Sequence, residues 1–375
     1  MNTPCVIPWT TIDIGHNYVE CCCYKDEQVR YGADHVAVPN WGLIDAELSC
    51  WNHPYLVNLR ARALQSVSLA CGEMVRCVPV QNSHHFDHIG DAAPGYFDNL
   101  ALCAEEFHAG ATRLSSKPVS YGIQIGKKCA LRCIMCFEDF GTVAHVGSIP
   151  LDKARALHEM ARYARHWDLQ GGEVFLEPDS VLDYMIPSPD EHPQLISSLT
   201  TAFGGVTEER FRKWAPRLRT MAVSIDSCDP AVYESIRRGA GFGHLMRMLV
   251  VARELGKLDT VNMVLMDRNL DQLADMVRFA SSQGFRVLQL LRTIEVGLVR
   301  NGLDDEDLFC SRRSRHKDAR LVQRWTEMVR AVSETGITLQ DSGVGNYLRQ
   351  HGYLRDRDVT EAGIDVVRDE LGVAL

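Results

Sequence analysis

The chain has 375 residues, 46% apolar and 24% charged, a balance that excludes a disordered tail protein and a collagen-like chain. With 40 Lys+Arg against 49 Asp+Glu the net charge is −9, which argues against nucleic-acid binding by phosphate neutralisation. No apolar run reaches the ~18 residues that a membrane helix needs, and Met1–Thr11 has neither the basic start nor the apolar core of a signal peptide. The expectation is a cytoplasmic protein whose partners include no nucleic acid and no membrane. Thirteen cysteines in such a protein point to metal or redox chemistry rather than to disulfides.

Eight cysteines precede residue 110, Cys129, Cys133 and Cys136 fall within eight positions, and only Cys228 and Cys310 follow. The division predicted from this is a cysteine-rich α+β module over 1–80, a linker over 81–116, a body over 117–345 and a helical extension over 346–375. Helical periodicity in the front piece begins at Tyr55–Leu69. His84, His85, Asp87 and His88 sit in a Gly/Pro-rich stretch that reads as a solvated loop, with a short helix around Asn99–Phe107.

From there strands and helices alternate. Val119–Ile125 is an apolar strand, and Leu157, Met160, Ala161 and Ala164 make one helix face. Strands are predicted at Glu173–Leu176, Leu195–Thr201 and Met221–Ile225, after which Asp229 and Pro230 open a helix as cap and first-turn residue. Leu245, Met248, Leu249 and Ala252 form the next helical face. A strand at Val261–Met266, a helix through Leu273, Met276, Val277 and Ala280 ended by Gly284, and a sixth strand at Phe285–Leu291 follow. Leu321, Trp325, Met328, Val329 and Val332 mark a late helix, with Ile337–Gln340 a further strand. This order predicts an α/β fold, a partial (β/α)6 TIM-type barrel with its active site at the C-terminal ends of the strands.

The loop Cys129-Ala-Leu-Arg-Cys133-Ile-Met-Cys136-Phe137 leaves the first of these strands. Three thiolates at C-x3-C-x2-C spacing can hold three corners of a 4Fe–4S cluster and leave the fourth iron open for chemistry. Lys127 and Lys128 are expected to help keep the thiolates ionised. A zinc site with a distant fourth ligand, or buried reduced thiols, are the structural alternatives.

The loop resembles the signature of the radical SAM enzymes, and the resemblance continues in order over Lys117–Arg292. Gly171-Gly172-Glu173 looks like the motif that receives the amino group of S-adenosylmethionine (SAM). Thr201-Ala-Phe-Gly204, Val223-Ser224-Ile225-Asp226 with Arg237-Arg238-Gly239, and Val261-Asn262-Met263-Val264 look like the motifs of strands three, four and five. Ala130 and Val174 depart from the family pattern without removing a ligand. The resemblance implies a cluster held by Cys129, Cys133 and Cys136, with SAM contacts from Phe137, Gly171, Gly172, Glu173, Thr201, Ser224, Asn262 and Arg238. For Arg238 a solvated position is the competing reading. Reductive cleavage of SAM would give a 5′-deoxyadenosyl radical that abstracts hydrogen from a substrate C–H bond, with electrons from a flavodoxin or ferredoxin.

The front piece, with Pro8-Trp9, Gly15, Cys50-Trp51-Asn52 and Leu59-Arg60, resembles the SPASM or twitch auxiliary iron–sulfur module, here placed before the barrel. That resemblance implies an auxiliary 4Fe–4S cluster on Cys5, Cys21 or Cys22, Cys71 and Cys77, a zinc site on the same thiolates or an empty module being the alternatives. Cys23, Cys50, Cys103 and Cys228 read as buried small residues, and Cys310 as a hydrogen-atom donor. The implied outcome is dehydrogenation, epimerisation or cross-linking of a small-molecule or carbohydrate natural-product intermediate. A peptide maturase with the same chemistry, or a non-catalytic iron–sulfur or zinc protein, are the alternatives.

Overall fold

The computed structural model describes residues 5–21, 41–65, 90–136, 138, 146–293, 295–309, 315–342 and 344–350. Cys22, Cys23, Cys71, Cys77, Phe137, Cys310 and the histidines of 84–88 lie outside them.

Eleven strands are present among the described residues: β1 Thr11–Ile14, β2 Val19–Glu20, β3 Ser120–Gln124, β4 Arg132–Cys133, β5 His166–Gln170, β6 Ile196–Thr201, β7 Ala222–Ser224, β8 Arg237–Arg238, β9 Thr260–Leu265, β10 Val287–Arg292 and β11 Thr338–Ser342. Nine form one sheet in the order β11-β10-β9-β7-β6-β5-β3-β1-β2, and β4 with β8 forms a separate ribbon. From β3 to β11 every neighbouring pair in the large sheet is parallel, as βα alternation requires. The strand expected at Ile337–Gln340 therefore joins as a seventh, at the far edge. The front piece is part of the same sheet, because β1 pairs parallel with β3 and β2 turns back antiparallel on β1.

One expectation fails. Glu173–Leu176 is not a strand. Val174–Leu176 is a short 3-10 turn, and the second barrel strand is β5, His166–Gln170. Val174 and Phe175 are apolar because they are buried under the loop after β5, Phe175 edge-on to Phe211. β5 escapes an apolar-run search because its alternate residues His166, Asp168 and Gln170 are polar.

That alternation holds across the sheet. Ile12, Ile123, Trp167, Leu169, Leu199 and Val261 are at most 1% exposed on the helix-covered face. The other face is polar, and register places its residues side by side. Asp13, Gly122, Asp168 and Ser198 are aligned across β1, β3, β5 and β6. Ser224, Asn262, Gln289 and Gln340 are aligned across β7, β9, β10 and β11.

Helix ends follow the residues expected of them. The Asp229 side chain accepts the Val232 amide at 2.9 Å with Pro230 in the first turn, and Gly284 closes helix Leu273–Gln283 at φ 93°. Front-piece helices run over Pro54–Gln65 and Tyr96–His108.

The motif residues of the front piece are structural ties. Arg60, fully buried, donates to the carbonyls of Pro8 (2.8 Å), Trp51 (2.9 Å) and Thr112 (3.0 Å), and its guanidinium lies 4.2 Å from the Trp51 ring centroid. Trp9 Nε1 donates to Ala111 O, Trp41 Nε1 to Gln124 O, and Asn52 both donates to and accepts from Leu114. Cys50 and Cys103 are buried as expected, with thiols pushed up to about 12 by burial. Arg60→Ala strands three carbonyls in a dry interior, so the expected loss is about 3 kcal/mol of stability, read as a lowered urea midpoint. An unchanged midpoint would show that the front piece is not held this way.

Candidate active site at the cysteine loop

The loop after β3 is clasped by four other parts of the chain. Glu173 N donates to Lys128 O at 2.7 Å and Gly172 N to Gly126 O at 3.3 Å. β4 pairs antiparallel with β8, Cys133 opposite Arg237, and Ile134 N donates to Ile236 O at 3.0 Å. Asn301 Nδ2 donates to Ile134 O at 2.9 Å. The approach is too close for side chains. A Cβ on Gly171 would stand 2.3 Å from Gly126 O, one on Gly172 2.3 Å from Lys128 O, and one on Gly297 2.4 Å from Met135 O. Gly171 also has a φ of 149°, where only glycine is unstrained. Gly204 packs as tightly on Leu131, and Gly205 faces Ala130, so the small residue that replaces the usual family residue at 130 meets a glycine.

Cys129, Cys133 and Cys136 are half-buried on this loop. Cys129 Sγ accepts the Leu131 amide at 3.4 Å. Cys133 Sγ accepts from Arg237 Nη1 at 3.7 Å, and Arg237 Nε stands 2.7 Å from Asp226 Oδ2 in an ion pair almost closed to water. Asp226 is held in turn by the Val264 amide at 2.9 Å. Burial pushes all three thiols up, Cys136 to about 12. The expectation that Lys127 and Lys128 keep them ionised is not met, since Lys127 is committed to Glu138 at 2.9 Å. The cation beside a sulfur is Arg237, which draws the Cys133 thiol down against burial. Nothing in the sequence separates Arg237 from Arg238. Strand alternation buries the first and exposes the second, so Arg238 takes its solvated reading.

Among the described residues, the only three potential metal ligands with donor atoms within 4.8 Å of one another are His158, Glu191 and His192. The sulfurs of Cys129, Cys133 and Cys136 do not all fall within that distance of one another. Thiolates on one tetrahedral zinc would lie about 3.8 Å apart, whereas thiolates that each bind a different iron are spaced by the cluster.

The radical SAM superfamily profile matches residues 123–280. The chain carries a radical SAM domain. GTP 3′,8-cyclase of Caulobacter vibrioides is 23% identical over 215 residues, covering 54% of this chain and 59% of its own. GTP 3′,8-cyclase of Bradyrhizobium diazoefficiens is 26% identical over 232 residues, covering 59% and 64%. The chain thus spans about three-fifths of the length of the curated relatives it matches. Streptococcus suis SuiB bound to S-adenosylmethionine superposes with a TM-score of 0.45 at 16% identity, covering 68% of this chain and 54% of that one. The cofactors of the superfamily that residues 123–280 match are a 4Fe–4S cluster and SAM.

The remaining residues of the radical SAM domain fit such a ligand set. Asn262 is 3% exposed and its Oδ1 is buried without a hydrogen-bond partner, directly across the register from Ser224. A buried orphan acceptor on the polar face of the sheet, third of the six residues of β9, fits a polar ligand. Glu173 is committed differently from expectation. Its carboxylate, 2% exposed, accepts from Thr201 Oγ1 at 2.8 Å and 2.9 Å and from the Ala202 amide at 3.1 Å, and burial pushes it up to about 7. It thereby ties the loop after β5 to the end of β6. Cys5 and Cys21 are both buried in the front piece. Residues that the sequence did not single out include Asp168, which accepts from Ser198 Oγ at 2.8 Å and Gln170 Nε2 at 3.1 Å. Gln124 likewise reaches Glu138 at 3.0 Å.

Two outcomes are expected from this geometry. Gly172→Ala displaces the Lys128 carbonyl, so it should lower iron incorporation at the loop several-fold, while Gly147→Ala, with nothing within 4 Å of its added Cβ, should not. Iron content after anaerobic reconstitution reads both. Burial pushes the Asp168 carboxyl from an ordinary 3.8 up to about 6. The folded state therefore holds this proton more tightly than the unfolded one. The resulting stability is fully present below pH 3.8 and lost as pH rises through 6. Against Asp168→Asn, the wild type should lose on the order of 3 kcal/mol between those limits, as measured by urea unfolding across pH.

Proposed function

We propose that this chain is a radical SAM enzyme that abstracts hydrogen from a C–H bond of a polar small molecule, a carbohydrate-like or nucleotide-like intermediate. When bound, the cluster and SAM supply a 5′-deoxyadenosyl radical by one-electron cleavage of the sulfonium. The observation that carries the substrate reading is the polar face of the sheet. Asp13, Asp168, Ser198, Asn262, Gln289 and Gln340 share it, and Gln124 continues it at the C-terminal end of β3, where the cysteine loop begins. Hydroxyl-rich substrates match carboxamide, carboxylate and hydroxyl groups, and Asn262 Oδ1 and Gln289 Oε1 on this face are buried without a hydrogen-bond partner. The names of the two cyclase relatives agree with a substrate of this kind.

In this reading the protein's own groups position and insulate. Asn262 Oδ1 and the Ser224 hydroxyl receive SAM polar atoms. Glu173 sets the loop after β5 so that its backbone can face the ligand, and Arg237 donates to Cys133. Cys5, Cys21 or Cys22, Cys71 and Cys77 make the auxiliary cluster site in the front piece. The buried Arg60 beside Cys21 supports a thiolate there. Cys310 remains the proposed hydrogen-atom donor.

Anaerobically reconstituted protein should carry about eight irons and release 5′-deoxyadenosine from SAM on reduction with dithionite. The triple variant Cys129→Ala, Cys133→Ala, Cys136→Ala should keep about four and release none. Iron falling to zero in the triple variant would remove the auxiliary cluster. For the substrate, deuterium transfer into 5′-deoxyadenosine is read with GTP and with deuterated sugars. Transfer from a peptide and from none of these would overturn the polar small-molecule reading.

A further inference from the structure

The cysteine loop stands at the C-terminal ends of the strands. At the opposite ends lies a second group of ligating side chains that the radical chemistry does not use. His158 is in the last turn of helix Leu151–Met160, just before β5, and Glu191 and His192 sit in the turn that enters β6. We propose that His158, Glu191 and His192 bind a divalent ion of the zinc class, fixing the end of that helix to the loop entering the next strand.

The donor atoms of all three lie within 4.8 Å of one another. In a tetrahedral zinc site nitrogen and oxygen donors stand about 3.3 Å apart, so closure needs a movement of about 1.5 Å at most. Glu191, which is exposed, can make it by side-chain rotation alone. The turn is already set, because the amides of Glu191 and His192 both donate to the Ser188 carbonyl, at 3.1 Å and 3.2 Å, and Leu195 N donates to His192 O at 2.9 Å.

Two independent observations point to a ligand. The first is the state of His158. Its Nδ1 lies 2.8 Å from the Tyr184 carbonyl, which can only accept, so Nδ1 carries the proton and Nε2 presents its lone pair. A backbone carbonyl that orients the ring in this way is the usual support of a metal-bound imidazole. The second is His192, whose Nδ1 is buried without a hydrogen-bond partner. A buried polar atom without a partner calls for an ion or a water.

Charge agrees. Glu191 supplies the anionic donor. The other two charged groups that act on His192, Glu159 and Arg162, pair with each other at 2.5 Å. Two imidazoles and one carboxylate select zinc, cobalt or nickel over magnesium or calcium, which prefer all-oxygen sites. Water completes a fourth position. The ion would brace β5 and β6, whose far ends carry Gly171, Gly172, Glu173 and Thr201.

Cobalt(II) titrated into anaerobically reconstituted protein separates this site from any thiolate site. Nitrogen and oxygen ligation gives visible d–d bands without sulfur-to-cobalt charge transfer. One equivalent should bind with that spectrum and be displaced by zinc, and Glu191→Gln should weaken zinc binding tenfold or more. Because Glu191 is exposed, this variant keeps the fold. His158→Ala with His192→Ala should abolish the bands and the zinc-dependent rise in Tm, without changing the iron content. No cobalt binding, bands with sulfur charge transfer only, or affinity unchanged in Glu191→Gln would each overturn the site.

Discussion

The close approach of backbone to backbone around residues 126–136 is the constraint from which the rest of the site follows. Carbonyls of Gly126, Lys128 and Met135 lie where any side chain on Gly171, Gly172 or Gly297 would collide with them. The loop is therefore not free to choose its shape. It is molded by segments that follow β5, β6 and β10, and each can deliver a glycine only because the parallel sheet brings these strand ends to one side. A metal-binding loop fixed in this way loses little conformational freedom on loading.

Charge around the loop is arranged by the same topology. Arg237 reaches Cys133 because β8 runs antiparallel to β4 and sets the two residues opposite each other. Asp226 holds Arg237 because it stands just past the end of β7. A guanidinium sealed between a carboxylate and a sulfur is costly to bury unless both partners stay in place. The ion pair and the ribbon are thus interdependent.

Much of this was legible before the fold was known, and the reasons differ by feature. The C-x3-C-x2-C spacing is local, so it survives without tertiary information, and so do the capping pair Asp229-Pro230 and the terminating Gly284. β3, β6, β9 and β10 showed as apolar runs. β5 was missed because a strand with one face on a polar surface loses half its apolar signal, while the buried turn at Val174–Leu176 imitated the lost strand. The polar face itself depends on register between strands far apart in sequence, which no single segment displays. Arg237 and Arg238 are chemically identical neighbours, and only the ribbon decides which one turns inward. The pairing of β1 with β3 was invisible for a related reason: β1 is four residues long, and its partner lies over a hundred positions away.

That pairing bears on how the molecule assembles and how it can be cut. Until β1 docks, β3 presents an open row of amides and carbonyls on the strand that carries the cysteine loop, and open parallel edges recruit foreign strands. Closing it requires a loop of over a hundred residues, an entropic cost that grows slowly with length but delays the contact in folding. A dissected barrel beginning near residue 117 would keep every residue of the cysteine loop and still expose its first strand to aggregation. In this chain the front segment acts as an edge guard for the strand that carries the cysteine loop.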